Sequence, residues 1–263
     1  MVIAVDEEGG TVNRVSLYGQ FCSSPFLSPQ DLYAQGGWDA VTADTREKCA
    51  LLKSLGINVN LAPVCDVSTN AGDFIYSRSF GQDAELTSQY VRTVVGAMNG
   101  SGVGCVLKHF PGYGNNVDTH TGVAVDDRPY STFEDSDFLP FEEGLDAGAG
   151  AVLVCHNIVS CMDGASPASL SAAVHDILRG DLGFGGVIIT DDLSMDAIRD
   201  FSGGEAAAVL AVEAGNDMLC CTDYADQYEA VLVAVQSGEI SRERLDESVR
   251  RILEWKIGLK ILA

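Results

Sequence analysis

The sequence lacks long hydrophobic runs and is poor in basic residues. None of its apolar stretches reaches the roughly 18 residues that a membrane-spanning helix needs, so we expect no membrane span. Its 16 lysines and arginines face 38 acidic residues, which gives a formal net charge of −22. Because phosphate backbones and anionic lipid surfaces attract clustered positive charge, we expect neither nucleic acid nor a membrane surface as a partner.

The sequence also lacks any Cys-x-x-Cys pair, although it contains eight cysteines. This pattern argues against a zinc array, and we expect neither a bound metal nor a cofactor. Five cysteines lie in or beside apolar runs and are predicted to be small buried side chains; they are Cys65, Cys105, Cys155, Cys220 and Cys221. Such cysteine usage favours a reducing compartment and hence the cytoplasm, while an export signal ahead of Met1 stays open.

Short apolar runs alternate with helical patterns along the chain. Most of the runs are continuously apolar, as in a parallel sheet that is buried on both faces. Such repetition gives either an open doubly wound sheet or a closed (β/α)8 barrel. No linker or change of composition divides the sequence, so residues 1–263 are predicted to form a single domain. The six predicted strands are residues 2–5, 59–64, 104–109, 151–156, 186–191 and 217–221.

The helical patterns lie between these strands, and the clearest one closes the chain. Ser241 can cap this last helix, and Gly258 lies near its end. Its apolar stripe consists of Leu245, Val249, Ile252 and Leu253. The other predicted helices are residues 44–55, 84–98, 132–147, 168–179, 204–214 and 224–236.

Chemically capable side chains collect where the predicted strands end. In both candidate folds the carboxyl ends of parallel strands form the rim of the active site, so we expect these side chains to meet there. This pattern predicts an active site. The residues concerned are Asp6, Asp66, Lys108, His109, His156, Asp191 and Asp192.

The segment K-H-F-P-G-Y-G-N-N-V-D-T-H, residues 108–120, places an acid and a histidine two positions apart on an irregular, glycine-containing loop. Asp118 can accept a hydrogen bond from one ring nitrogen of His120. The other nitrogen can then exchange a proton with a substrate. From spacing alone, a loop that only satisfies its own turn hydrogen bonds is an equal alternative.

Two further segments carry candidate groups. In G-V-I-I-T-D-D-L-S-M, Asp191 is the first residue past an apolar run, where a carboxylate can attack a sugar, bind a metal or cap a helix. For its neighbour Asp192, capping is the favoured role. In A-V-D-E-E-G-G-T-V-N-R, Asp6 ends a strand and Arg14 lies on a glycine-rich loop, and the two glutamates between them are expected to be structural or solvated.

Together and in this order, these segments resemble family 3 of the glycoside hydrolases, in its β-N-acetylglucosaminidase branch. The matching pieces are V-D-E-E-G-G-T-V-N-R, N-L-A-P-V-C-D-V, S-R-S-F-G, K-H-F-P-G-Y-G-N-N-V-D-T-H-T-G, A-S-L-S, I-I-T-D-D-L-S-M and E-A-G-N-D-M-L. The resemblance implies a (β/α)8 barrel. It also implies retaining hydrolysis of a terminal β-linked N-acetylhexosamine through a covalent glycosyl-enzyme. The substrate would be a small carbohydrate, such as a fragment released in peptidoglycan turnover.

The resemblance also implies roles for individual residues. Asp191 matches the nucleophile, His120 the acid/base and Asp118 its partner. A neutral imidazole would avoid a second negative charge beside the nucleophile. On sequence logic alone Arg78 is a surface group, but by matching position it would bind the sugar. The matched sugar-binding residues are Asp6, Arg14, Arg78, Lys108 and His109.

The sequence departs from the family pattern in two places. Tyr113 stands where relatives commonly have histidine. Relatives also usually carry about two further strands and a helix before the first strand, so the barrel is expected to lack its first two strands. We therefore expect the 263-residue chain alone to be weakly active or unstable, or to compensate the missing strands in a homo-oligomer.

Three rival functions stay open. Within the same family, a β-glucosidase or β-xylosidase is the alternative specificity. A metal-dependent barrel hydrolase would use His109, His120, His156 and Asp191 as ligands. A catalytically inactive remnant would serve as a binding or assembly module.

Overall fold

The computed structural model describes residues 1–116, 122, 124–202 and 207–262, so Asp118 and His120 lie outside the described residues. The chain divides into two compact units. Unit 1 comprises Met1–Asn115, Thr132–Ala151 and Lys256–Ala263, and unit 2 comprises Asn116–Ser131 and Val152–Trp255. No helix in the described part of the chain is long and apolar enough to cross a membrane.

Unit 1 contains a set of parallel strands and a small hairpin. Its strands are β1 (Ala4–Val5), β2 (Glu7–Gly9), β3 (Val12–Asn13), β4 (Val59–Asn60) and β5 (Gly104–Phe110). Strands β1, β4 and β5 lie side by side and parallel, while β2 and β3 pair antiparallel. All seven residues of β5 are buried, which explains why its sequence is almost continuously apolar up to Lys108.

The longest helix of unit 1, α1 (Pro29–Ser54), is kinked. The Ser28 hydroxyl oxygen caps it by accepting the Asp31 N–H at 3.1 Å. At Gly36 and Gly37 the backbone leaves helical geometry, and Gly37 has a φ of +58°, which glycine adopts at little cost. Only the part after the kink was expected from the sequence, because the glycine pair interrupts the helical pattern.

The remaining helices of unit 1 pack beside β5. Helix α2 (Ala84–Ser101) begins at Asp83, whose carboxylate accepts the Leu86 N–H at 2.9 Å, and ends at Gly102 with a φ of +70°. A second stretch consists of a π-helical turn (Phe133–Asp137) and α4 (Phe138–Asp146), and the short α3 (Tyr130–Thr132) precedes it, with its first two residues counted with unit 2. The ring of Phe110, at the end of β5, packs edge-on against Phe141 with centroids 5.2 Å apart.

Unit 2 repeats the strand-and-helix alternation. Its strands are β6 (Val125–Asp126), β7 (Ala151–Val154, the first residue counted with unit 1), β8 (Ile158–Val159), β9 (Val187–Asp192) and β10 (Met218–Cys220). Strands β7, β9 and β10 neighbour each other in that order, and β6 pairs parallel with β8. Its helices are α5 (Ser160–Asp163), α6 (Ala172–Asp176), α7 (Asp196–Ser202), α8 (Ala207–Ala214), α9 (Tyr224–Ser237) and α10 (Arg242–Gly258, the last three residues counted with unit 1). A 3₁₀ turn (Ala168–Leu170) and a π-helical turn (Ile177–Asp181) flank α6.

All six predicted strands are confirmed in position, as β1, β4 and β5 in unit 1 and β7, β9 and β10 in unit 2. The fold is therefore α/β, with parallel strand pairs in each unit. The predicted helix at 204–214 is confirmed from Ala207 onward, and residues 204–206 lie outside the described residues. The closed barrel and the single-domain organisation stay predictions.

Helix α10 corrects one detail of the sequence prediction. Ser241 does cap it, accepting the Arg244 N–H at 3.1 Å. However, Val249 and Leu253 of the predicted apolar stripe are 44% and 42% exposed. The buried residues of the helix are Ser248 and Trp255. The Ser248 hydroxyl donates to a buried carboxylate at 2.7 Å, and this polar contact orients the helix.

The cysteine prediction is partly wrong. Cys65, Cys105 and Cys155 are buried, whereas Cys220 is exposed and Cys221 is half-buried. The last two lie at and just after β10, which pairs with β9 on one side. Within the described residues of unit 2, no strand pairs with its other edge.

Candidate active site

The parallel strands of unit 1 bring charged side chains to one edge. Asp6 follows β1 directly, and Lys108 and His109 lie near the end of β5. Val64 pairs with Lys108 in an isolated parallel bridge, and the Cys65 N–H donates to the Lys108 carbonyl at 2.6 Å. These contacts bring Asp66, the residue after Cys65, beside His109. The peptide bond between Lys108 and His109 is cis.

The ammonium group of Lys108 lies between two carboxylates. Its Nζ is 2.6 Å from Oδ1 of Asp6 and 2.5 Å from Oε1 of Glu8. The side chains of Lys108 and Glu8 are only 2% and 3% exposed, whereas that of Asp6 is 36% exposed. Asp6 is therefore the more open carboxylate of the two and can accept hydrogen bonds from a ligand.

The guanidinium of Arg78 approaches Glu8 from another direction. Its Nε and Nη2 donate to the two carboxylate oxygens of Glu8 at 3.0 and 2.7 Å, a bidentate geometry that suits a planar guanidinium. The same Nη2 lies 3.1 Å from Nε2 of His109. Arg78, predicted from sequence logic alone to be a surface group, instead belongs to this network.

The contacts of His109 determine its tautomer. A guanidinium can only donate, so Nε2 of His109 accepts from Arg78, and the ring proton lies on Nδ1. That proton is donated to Oδ2 of Asp66 at 2.7 Å. Asp66 also accepts the backbone N–H of His109 at 3.2 Å and that of Tyr113 at 2.7 Å. The ring of Tyr113 is buried and stands edge-on to the imidazole.

Opposite charges shift the pKa values of two buried groups of this network, Glu8 and Lys108. Burial alone would raise the pKa of Glu8, but pairing with Lys108 and Arg78 outweighs it and lowers that pKa to about 2. For Lys108 the directions are reversed. Burial alone would lower its pKa, but the charges of Glu8 and Asp6 outweigh burial and raise that pKa above its usual value. Both groups are therefore charged at neutral pH.

Glu7, the neighbour of Glu8, has a different role. Its fully buried carboxylate accepts the backbone N–H groups of Arg14 at 2.8 Å, Val15 at 2.7 Å and Ser16 at 3.1 Å. The Ser16 hydroxyl donates to it as well. Glu7 thus fixes the loop after the hairpin, as the structural role expected for it requires. Arg14 is exposed, and its guanidinium is not among the groups that bond within the network around Lys108.

In unit 2, strand β9 ends with two carboxylates in unlike environments. Asp191 is half-buried, and its Oδ1 accepts the Asp192 N–H at 2.9 Å. Asp192 accepts the N–H and hydroxyl of Ser194 at 2.9 and 2.6 Å and the hydroxyl of Thr222 at 3.0 Å. Burial would raise the pKa of Asp192, but these hydrogen bonds outweigh it and lower the pKa. Asp192 therefore stabilises the turn at Ser194, two residues before α7 begins at Asp196, and these contacts differ from the helix cap that was expected.

His156 is fully buried and engaged at both ring nitrogens. Its Nε2 lies 3.0 Å from the Asp192 carbonyl, an acceptor, so the ring proton is on Nε2. Its Nδ1 accepts from the Ser169 hydroxyl at 2.7 Å. In the part of the chain that the structure describes, no three His, Cys, Asp or Glu side chains are grouped so that they could hold a metal.

The structure thus brings together four of the predicted site residues in unit 1: Asp6, Arg78, Lys108 and His109. Asp191 lies at the end of β9 in unit 2. Asp66 was predicted from the sequence to lie at the rim of the active site, because it follows an apolar run, but it was given no role there. Glu8 was missed, because it was expected to be structural or solvated.

The comparisons with known proteins agree on one family. The model of the glycosyl hydrolase family 3 N-terminal domain matches residues 1–255. A beta-hexosaminidase of Xanthomonas campestris pv. campestris (strain B100) is 35% identical over 224 residues, which cover 83% of this chain and 66% of that protein. The chain therefore spans slightly less than two thirds of the length of this curated relative.

Solved structures give the same result. The structure of a glycoside hydrolase family 3 beta-N-acetylglucosaminidase from Paenibacillus sp. str. FPU-7 matches with a TM-score of 0.92 and 34% identity, covering 100% of this chain and 51% of that one. A beta-N-acetylhexosaminidase from Beutenbergia cavernae DSM 12333 matches with a TM-score of 0.87 and 34% identity, covering 97% of this chain and 78% of that one. From the family model and these relatives we conclude that the chain belongs to glycoside hydrolase family 3.

Proposed function

We propose that this chain is the catalytic part of a retaining exo-glycosidase that removes terminal β-linked N-acetylhexosamine, with cell-wall fragments as its substrate class. The observation that carries the proposal is the network of unit 1. In it, Nζ of Lys108 contacts the Asp6 carboxylate just after β1, and this carboxylate stays partly exposed to solvent. A fixed carboxylate of this kind suits the hydroxyl groups of a sugar. The names of the relatives, beta-hexosaminidase and beta-N-acetylglucosaminidase, support the choice of sugar.

In the proposed reaction, Asp191 attacks the anomeric carbon while His120 gives its proton to the departing glycosidic oxygen. A covalent glycosyl-enzyme forms and the leaving alcohol departs. His120 then takes a proton from water, whose oxygen displaces Asp191 and restores the carboxylate. The first step requires the imidazolium form of His120, which Asp118 stabilises by accepting from the other ring nitrogen. Once the proton has been given, the same contact keeps the neutral ring in the tautomer that can take a proton from water. Asp192 is unsuited to be the nucleophile because its two oxygens are engaged by Ser194 and Thr222.

A matched pair of variants tests the nucleophile. Asp191→Asn and Asp192→Asn each remove one carboxylate from the end of β9, and the two positions are adjacent. With a chromogenic N-acetyl-β-glucosaminide, we expect the first change to lower kcat by at least about 10³-fold and the second by less than about tenfold. Substantial activity in Asp191→Asn would refute the assignment.

Two further readouts test the reaction and the sugar. Proton NMR of the first product should show the β-anomer before mutarotation, since two displacements retain configuration. Cleavage of the N-acetylglucosaminide should exceed that of the matching glucoside and xyloside. An α-anomer as first product would exclude the retaining mechanism. A wild-type protein that cleaves none of these substrates would indicate an inactive remnant.

A further inference from the structure

Glu8 differs from every other carboxylate of the unit 1 network in contacting two cations. Its Oε1 contacts both Nζ of Lys108, at 2.5 Å, and Nη2 of Arg78, at 2.7 Å. Its Oε2 accepts from Nε of Arg78 at 3.0 Å. With its side chain 3% exposed, Glu8 has almost no access to solvent and cannot contact a ligand without breaking one of these pairs.

The position of Glu8 follows from the hairpin that carries it. Strand β2 pairs with β3, and the main chain of Glu7 exchanges two hydrogen bonds with the Asn60 side chain at 3.0 and 2.9 Å. In addition, the carbonyl of Glu8 accepts from Nζ of Lys48 at 2.9 Å. The backbone on either side of the carboxylate is therefore anchored, so the side chain acts from a fixed base.

We infer that Glu8 is a positioning residue, whose buried carboxylate holds the ammonium of Lys108 and the guanidinium of Arg78 at fixed places beside Asp6. The inference rests on the proposed function, in which Asp6 accepts from the sugar hydroxyl groups, and on the family resemblance, by which Lys108 and Arg78 also bind the sugar. Without Glu8, Asp6 would be the one carboxylate of this network that still contacts Lys108. Lys108 would then occupy Asp6 oxygens that the sugar hydroxyl groups need as acceptors. Arg78 would keep its contact with His109 and lose both carboxylate bonds.

Charge, and not hydrogen bonding alone, is needed at this position. A glutamine would present one acceptor and one NH₂ group, and the NH₂ would face either Lys108 or Arg78, both of which are donors. The charged groups that face Lys108 are Asp6 and Glu8, which favour its protonated form, and Arg78, which opposes it. Removing the charge of Glu8 leaves one favourable and one unfavourable neighbour, so the pKa of Lys108 should fall.

The titration of Lys108 tests this inference without any substrate. The chain has five lysines, so ¹³Cε-lysine labelling gives a simple NMR spectrum, and Lys108→Met assigns the signal. In the wild type we expect Lys108 to stay protonated at about pH 10.4, where an ordinary lysine is half titrated. In Glu8→Gln its midpoint should move down by at least about one pH unit, and Glu8→Asp should restore most of that shift.

Glu7→Gln is the matched control, because it removes a buried carboxylate from the same strand. In the part of the chain that the structure describes, the Glu7 carboxylate is bonded to N–H groups and a hydroxyl and to no cation, so its loss should leave the Lys108 midpoint unchanged. An equal midpoint in wild type and Glu8→Gln would overturn the inference. Should Glu8→Gln fail to fold, the wild-type titration still decides, since a Lys108 midpoint at or below that of an ordinary lysine contradicts the positioning role of Glu8.

Kinetic measurements test whether the positioning by Glu8 affects cleavage of the sugar substrate. We expect Glu8→Gln to lower kcat/KM by about 10²-fold, as a misplacement of binding groups by about 1 Å can do, and Glu8→Asp to recover part of that loss. An unchanged kcat/KM in a Glu8→Gln protein with a shifted Lys108 midpoint would refute the positioning role. An inactive wild type would instead refute the proposed function, while the NMR titration would still test whether Glu8 holds Lys108 in place.

Discussion

Asp66 accepts a hydrogen bond from Nδ1 of His109 at 2.7 Å, while Nε2 on the other side of the ring accepts from Arg78 at 3.1 Å. The imidazole therefore connects a fully buried carboxylate to the guanidinium that Glu8 holds. Hydrogen bonds thus join four side chains in a row, and each side chain limits the rotamers of the next; the four are Asp66, His109, Arg78 and Glu8. His109, matched by resemblance to a sugar-binding residue, supports Arg78 through its second nitrogen.

Replacing Asp66 by alanine should destabilise the protein by about 2–5 kcal/mol. The change leaves two backbone N–H groups and the Nδ1–H of His109 without their acceptor in a buried site. Urea unfolding measures the loss. Asp73→Ala is the control, since among the described residues the Asp73 carboxylate accepts from two side chains, those of Ser68 and Asn70, and it should cost less than about 1 kcal/mol. Equal losses in the two variants would contradict the role of Asp66.

The stability contributed by Glu8 should depend on pH in a defined window. Its pKa falls from 4.5 to about 2 on folding, so the folded protein binds its proton less readily than the unfolded chain. The contribution is fully present above about pH 4.5 and is lost as the pH falls towards about 2. A shift of this size corresponds to about 3 kcal/mol.

The measurement is the difference in unfolding free energy between wild type and Glu8→Gln, followed from pH 7 to pH 2. Because the other acidic groups are common to both proteins, their titration largely cancels in the difference. We expect the difference to be constant down to about pH 4.5 and to shrink below it. A difference that does not change across this range would show that Glu8 gains nothing from its cations on folding.

Gly112 should resist substitution because of both its backbone and its neighbour. It has a φ of +129°, and a Cβ there would lie 2.3 Å from Oδ1 of Asp137 and 2.7 Å from its Cβ. Gly56→Ala is the control, since Gly56 has a φ of +79° with open space around it. Gly56→Ala should cost about 1–2 kcal/mol for left-handed backbone alone, and Gly112→Ala should cost about 1–3 kcal/mol more. Urea unfolding of the two variants compares them directly, and equal losses would exclude the clash.

The sequence predicted the strands well because buried parallel strands leave a local signal. The run that became β5 is continuously apolar until Lys108, and its length and flanking residues locate the strand to within one residue. The same reasoning located Asp6 and Lys108 at strand ends, and their ion pair confirms that the two ends lie together. Local pattern was sufficient here, since each strand end is defined by its own neighbours.

The roles of Glu7 and Glu8 could not be separated in this way. The two residues are chemically identical and adjacent, yet one binds backbone N–H groups and the other binds Arg78, which is 70 positions away in the chain. Which of them meets the cations depends on the side of the hairpin that faces β5, and this is decided by tertiary packing. For the same reason Arg78 lacks any local signal that distinguishes it from a surface arginine.

The buried face of α10 was also missed for a tertiary reason. Its apolar stripe gave a clear helical period, but polar contacts to Asp217 decide which side of the helix is buried. Ser248 donates to Oδ1 of Asp217 at 2.7 Å, and Arg251 donates to the same oxygen at 3.0 Å. Hydrophobic periodicity contains no information about such an acceptor at the start of another strand.

Asp217→Ala should therefore be the most damaging single change in unit 2. The Asp217 side chain is fully buried, and besides its contacts to α10 it accepts from Nη2 of Arg179 at 2.6 Å and from the Ile188 N–H at 3.0 Å. Arg244 lies 3.7 Å away. Alanine would leave three guanidinium groups close together without the carboxylate that offsets their charge, and breaking such a buried cluster costs about 3–5 kcal/mol.

Urea unfolding at neutral pH measures this loss, and Asp226→Ala, at an exposed position of α9 in the same unit, is the control. The control should stay within about 0.5 kcal/mol of the wild type. Asp217→Asn separates charge from hydrogen bonding, because an amide keeps one acceptor but adds an NH₂ group that must face an arginine. We expect it to lose nearly as much as alanine. Wild-type stability in Asp217→Asn would mean that the arginines are held by their carbonyl partners, such as those that Arg179 and Arg244 already contact, and not by the carboxylate.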